Sequence, residues 1–449
     1  MTLLIVVIVF GGMVFLHEFG HFIVARLFKI EVEEFGFGFP PRVMRLWRDK
    51  GSITVGPHTL EIPFNFNLPF ERDEARDRGV EVVATQKNDK LVLKSIALGA
   101  TEDGQFQPIY PERYEAPNGD VHLSGIVHEL QMGTEFTLNA LPIGGFVRPK
   151  GENDPNVMDG LAAANPWKRL GVLFAGPVMN LLTAIVVTSV IIAQTGVGVP
   201  GKVLIENVSD NSPAQQAGIQ ANDILLTVAG KPVTTLDEAK ALIRAGIDKP
   251  LEMTLERNGK QVTLTATPLS SRPAEQGALG IGLSYPRRSA TVSEIIGGGF
   301  AYTGLQAAGI LYMPIGLIKG AIAPSDARLI GLKGIYDIFG QAVQRDTESR
   351  QSPAAPATTG QPQPTQQPTN YILTLIAMLS VSLAVFNLLP IPALDGGRIL
   401  FTLPEILFRR RIPYKLENVI NGVAMLLLIA LMLFINAMDF INPVNIKLP

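Results

Sequence analysis

The chain has no cysteine, which removes disulfides, thiolate metal sites and thiol nucleophiles together. Any metal it binds must be held by histidine and carboxylate, and there are only five histidines in 449 residues. Charge is scarce as well. Only 17% of residues are charged, against roughly 25% in a soluble domain. The net charge of −2 comes without the basic stripe that nucleic acid demands, so no nucleic-acid partner is expected. The shortage is concentrated in a few places. Met1–Leu16, Leu170–Gly201, Tyr371–Leu394 and Asn418–Met438 contain no Asp, Glu, Lys or Arg, and a helix needs roughly 20 apolar residues to cross a bilayer. These runs imply a polytopic α-helical membrane protein of about four transmembrane helices, over 1–28, 168–195, 371–398 and 416–438. The first run lacks the basic start and small-x-small ending of a signal peptide, so it reads as a retained helix.

Basic residues near membrane ends mark the cytoplasmic side. Arg26, Lys29, Arg42, Arg45 and Arg48 follow the first run, and Lys168 and Arg169 precede the second. Arg398, Arg409, Arg410, Arg411 and Lys415 lie between the third and fourth. Both loops therefore read as cytoplasmic, and the region between the second and third helices faces outward. Ile295–Ile318 is also uncharged, but its glycines and Pro314 weaken it as an ordinary span. It is expected as a membrane-surface or groove-lining helix within 287–345.

His17-Glu18-Phe19-Gly20-His21 is a His-Glu-x-x-His motif. On a helix, residues four apart share a face, so both imidazoles can reach one Zn2+ ion, with Glu18 beside them as a base for water. Polar groups at this depth in a span are costly and usually functional. A hydrolytic zinc site takes three protein ligands and leaves one position open. His58, His122 and His128 have no route to this depth. Asp395 does: the first and third helices both run inward, and Asp395 follows the inner end of the third, in Asn387 through Gly397. Pro390 and Pro392 stop that helix, and Gly396 and Gly397 let the chain turn beneath the metal.

These motifs resemble the site-2 proteases, and within them the bacterial regulator-of-sigma-factor type. The likeness is carried by His17 to His21, by Gly176-Pro177-Val178-Met179-Asn180, by Asn387 through Gly397, and by Leu141 through Arg148, which is similar to the family's re-entrant hairpin. The resemblance implies zinc-dependent intramembrane proteolysis in a bacterial inner membrane, with His17, His21 and Asp395 on zinc and Glu18 as base. It implies that Asn180 and Asn387 hold the substrate, and Gly144 and Gly145 in the re-entrant strand are expected to pair with it. The implied partners are single-span membrane proteins, anti-sigma factors among them, and an upstream site-1-type protease. An inactive scaffold recruiting partners through its outward domain is the alternative, and the intact His17, Glu18, His21 and Asp395 argue against it.

Residues 196–286 read as one outward PDZ-like α+β domain. Strand-like runs at Val203–Val208, Ile224–Val228, Leu251–Arg257 and Gln261–Thr267 accompany an Asn258-Gly259 hairpin turn and a capping box at Thr235–Glu238. Within the cytoplasmic-side β region 29–167, an insertion of about 52–133 departs from the family pattern and is expected as a small β-rich elaboration. Residues 346–370, rich in Pro, Gln, Thr and Ala, read as a disordered linker.

Overall fold

The computed structural model describes residues 2–70, 78–99, 101–102, 105–106, 113–157, 160–271, 277–322, 329–351 and 370–442. Its longer helices are α1 (Thr2–Leu27), α2 (Pro166–Thr195), α3 (Leu236–Ala245), α4 (Val292–Ile318), α5 (Leu332–Gln351), α6 (Tyr371–Leu388), α7 (Asp395–Phe408) and α8 (Tyr414–Ile441). Five of them, α1, α2, α4, α6 and α8, are long and apolar enough to cross a membrane. A lipid-exposed backbone must satisfy its own hydrogen bonds, which is why uncharged runs this long become helices. Ile295–Ile318, expected as a membrane-surface or groove-lining helix, lies within α4. Its glycines and Pro314 do not break it, and it forms one 27-residue helix. Ala307 and Ile310 of α4 pack against Ala184 of α2 and Val381 and Val385 of α6.

The chain forms two compact units. The first comprises residues 1–187, 302–353 and 370–449. In it, α5 is fastened at both ends. Asp439 and Asn436 of α8 accept from the backbone N–H groups of Gly331 and Leu332 at 2.8 and 2.9 Å. Asp346 of α5 in turn accepts from Tyr371 N, the first amide of α6, at 2.8 Å. These contacts, with a Gln344–Glu348 bond one turn apart, carry helix to Gln351, into the stretch expected as linker. The rest of that stretch, 352–369, lies outside the described residues.

A sheet lies against α1. Strands β1 (Val32–Arg48) and β8 (Glu135–Pro149) both fold back on themselves. Phe35 consequently pairs with both Phe136 and Val147, and Arg45 pairs with Thr137. The bend in β1 holds Gly38 at φ +84°, and a Cβ there would sit 2.5 Å from Leu141 O. Phe15 of α1 meets Phe35 edge-on at 5.4 Å and stacks on Phe37 at 5.3 Å, which locks the sheet to the helix.

Between β1 and β8 stand β2 (Gly51–Val55), β3 (His58–Ile62), β4 (Gly79–Lys87), β5 (Lys90–Leu98), β6 (Arg113–Glu115) and β7 (Asp120–Gln131). They run in the order β2-β3-β5-β4-β7-β6, and β2 also pairs with β7, so five of the six strands close into a ring. Alternate residues Ile53, Leu60, Ile62, Val80, Val82 and Leu123 fill it. Its two ends meet: Asp49 N donates to Thr134 O at 2.9 Å.

The second unit comprises residues 188–301 and 354–369. Strands β9 (Val203–Val208), β10 (Ile224–Val228), β11 (Leu251–Arg257), β12 (Lys260–Ala266) and β13 (Ile281–Ser284) run in the order β12-β11-β10-β9-β13. Thr235 and Glu238 form the reciprocal cap that opens α3. Asn222 sits at φ +71°, in the left-handed region that Asn tolerates better than most residues. Val203, Ile205, Leu225, Met253 and Leu255 form its core.

Candidate metal centre

Helix α1 places His17 and His21 on one face, both only 7% exposed. Asp395 opens α7 after the turn that ends α6. That turn is possible only with glycine, because a Cβ on Gly396 would lie 2.0 Å from Leu389 O and one on Gly397 2.4 Å from Ile391 O. The aspartate Oδ2 thereby stands 3.1 Å from His17 Nε2 and 3.4 Å from His21 Nε2. The two Nε2 atoms are 3.2 Å apart. Among the described residues, this trio is the one group of His, Asp or Glu whose ligand atoms converge, all within 4.8 Å of one another. Two nitrogens and one carboxylate oxygen suit a zinc ion with an open fourth position.

Helix α2 supplies the back wall through one face read at every fourth residue. The Val172 carbonyl meets His21 Nδ1 at 2.7 Å. Gly176 makes room for the rings: its Cβ would fall 2.4 Å from His21 Nε2 and 2.6 Å from His17 Nε2. The Asn180 amide meets His17 Nδ1 at 3.0 Å. The helices can come this close because Gly20 of α1 lies against Ala175 O, where a Cβ would be 2.4 Å away. Both Nδ1 atoms are thus engaged from α2, and both Nε2 atoms face the cluster. This donor set fits zinc.

Glu18, on the residue after His17, accepts at Oε2 from Val147 N of β8 at 3.3 Å. Gly144 and Gly145 sit where β8 presses on α1. A Cβ on Gly144, which has φ +87°, would lie 2.6 Å from Val14 Cγ1, and one on Gly145 2.7 Å from Gly36 O. The first glycine lets β8 approach α1, and the second lets it approach β1. Asn387 turns its amide nitrogen back to Leu383 O at 3.0 Å. Asn180, expected at the substrate, is fully buried and lies against His17. His58, His122 and His128 stay on the strand ring and do not join the centre. The Val172 carbonyl and Val147 amide had no signal in the sequence, since both act through the backbone. Gly176 and Asn180 were visible only as part of a motif.

A sequence profile of peptidase family M50 matches residues 5–55 and 121–431. It skips most of the strand ring and spans every residue of the centre. The zinc metalloprotease RasP of Oceanobacillus iheyensis is 25% identical over 98% of this chain and 98% of its own length. RasP of Bacillus licheniformis is 25% identical over 96% of the chain and 97% of its length. A Clostridium perfringens relative that carries a provisional zinc-metalloprotease name is 31% identical over 69% of the chain and 85% of its own length. The matching profile covers most of the chain and the two RasP proteins match it nearly from end to end: the chain belongs to peptidase family M50, the site-2 proteases, and is a zinc metalloprotease of the membrane.

Proposed function

We propose that His17, His21 and Asp395 hold the zinc, that Glu18 is the catalytic base, and that the reaction is hydrolysis of a peptide bond within a substrate's transmembrane segment. The observation that carries this reading is the convergence of His17, His21 and Asp395 from distant elements, with Glu18 on the next residue. Zinc held there supplies Lewis-acid polarisation of the scissile carbonyl and makes water a better nucleophile. Glu18 takes the proton from the attacking water and passes it to the leaving nitrogen. The Val147 N–H aims its carboxylate. A helical substrate hides its amides in its own hydrogen bonds, so it must unwind first. The strand edge at Gly144–Val147 offers backbone groups that replace those bonds, and Asn387, at the end of α6, holds the extended segment in this reading.

The orientation follows from Lys and Arg: the loops after α1 and α6 lie in the cytoplasm of a bacterial inner membrane. Four crossings, by α1, α2, α6 and α8, satisfy this rule. Helix α5, to which the chain returns after α4, meets the start of α1 (Gly340 beside Thr2), the start of α6 and the end of α8. That level is read as the outer one, and α4 is read as packing beside α2 and α6 without adding a crossing. The unit holding β9–β13 is read as a PDZ-like domain on the outer face that selects substrates by the size of their outer portions. Single-span proteins already trimmed by a site-1-type protease, anti-sigma factors among them, suit such a gate.

The test is Glu18→Gln. It removes the base and leaves all three ligands, so the purified variant should keep zinc and lose cleavage of a single-span substrate. Cleavage near the wild-type rate would end the assignment of Glu18.

A further inference from the structure

The two histidines are held at Nδ1 by different chemistry. His21 Nδ1 faces the Val172 carbonyl, and a carbonyl only accepts. That nitrogen therefore carries the proton, and Nε2 keeps the lone pair a metal needs. His17 Nδ1 faces Asn180, whose amide offers a donor on one side and an acceptor on the other. Asn180 is 0% exposed, and its Oδ1 meets no hydrogen-bond partner. With the NH2 group toward His17, the ring proton is left on Nε2, where zinc must bind. With the amide the other way round, Oδ1 accepts from Nδ1–H and Nε2 is free. The two orientations have the same shape, so nothing else has to move. The turned amide gives the buried oxygen its partner and puts the NH2 group where the oxygen had none.

We propose that Asn180 is a positioning residue for His17: its carbonyl oxygen accepts the Nδ1–H and selects the tautomer whose Nε2 binds zinc. The proposal rests on His17 being a ligand. It replaces a role at the substrate with a role behind the metal, and burial of the amide fits only the second. Partners behind metal-binding histidines typically contribute about 10–100-fold in affinity.

Zinc affinity is to be measured on the full chain in detergent by chelator competition, with the helix content of the metal-free protein as a fold control. Asn180→Ala and Asn180→Leu should bind zinc about 10–100-fold more weakly. Asn180→Asp keeps the acceptor and should stay close to wild type. Independently of any variant, 15N-histidine NMR of the zinc-loaded wild type should show the His17 proton on Nδ1. Wild-type zinc affinity in a slow Asn180→Ala variant would return the amide to the substrate and overturn the proposal. So would an Asn180→Asp variant as weak as Asn180→Ala, or zinc on His17 Nδ1. His17→Ala separates the two layers. If it binds zinc like wild type, the ligand assignment fails; if it loses zinc while Asn180→Ala does not, only the role of the amide fails.

Discussion

Gly176→Ala adds one methyl group to the back wall of the centre. Its carbon would lie 2.4 Å from His21 Nε2, 2.6 Å from His17 Nε2 and 2.7 Å from His17 Cε1. Non-bonded heavy atoms settle at about 3.5 Å or beyond, so each ring must retreat by about 1 Å. Helices α1 and α2 cannot simply part, because Gly20 holds them in backbone contact. Metal ligands tolerate only about 0.2 Å, and a 1 Å error in a reacting group costs about 100-fold in rate. The fold is affected far less. Alanine favours a helix over glycine by about 1 kcal/mol, which offsets part of an overpacking cost of about 1–3 kcal/mol. Cleavage of a short single-span substrate should therefore fall about 100-fold and zinc per chain after dialysis against a chelator should fall below one, while the melting of the metal-free protein moves little. Gly12→Ala, whose Cβ meets nothing within 4 Å, is the matched control. Stoichiometric zinc with near wild-type cleavage in Gly176→Ala would refute the packing argument.

A cysteine placed at Asn258, in a chain with none of its own, should react from the outer face of intact cells; reaction only after the inner face is opened would reverse the topology. Replacing Gly201–Leu269 by a flexible linker should leave a short substrate cleaved and admit one with an untrimmed outer domain, and an unchanged ratio of the two rates would remove the gate. The Glu238 carboxyl lies below its ordinary 4.5, first because Thr234 N–H donates to it, then the Thr234 hydroxyl and Thr235 N–H. A depressed folded value means support that is full above about pH 4.5 and lost as pH falls through the lower folded value. Exchange protection of α3 amides should weaken in that window, and Glu238→Gln should remove the dependence.

The parts of the centre written in side chains at fixed helical spacing were legible: His17 and His21 by their four-residue step, and Asp395 by its depth after an uncharged run. Asn180 was legible as a residue and not as a role, because spacing along α2 does not say which ring it faces. The polar composition from residue 346 onward hid the last turns of α5, since Asp346 is bonded by the first amide of α6, distant in sequence. The uncharged run of α4 announced a helix, and its glycines and Pro314 do not interrupt it. Alternating Val, Ile and Leu announced strands in the insertion; their closure depends on β2 reaching β7 across more than sixty residues, which no local pattern encodes.

The strand ring leaves β1 and returns to β8 through adjacent amides at Asp49 and Thr134. There the gap is so tight that a Cβ on Gly133 would lie 2.0 Å from Asp49 O. To the catalytic sheet, some eighty residues thus count as a single turn. Such a socket lets a lineage acquire, exchange or discard an entire globular passenger without shifting the register that brings Val147 to Glu18. The passenger has its own core, so changes within it need not touch the residues of the centre although the two share one hairpin.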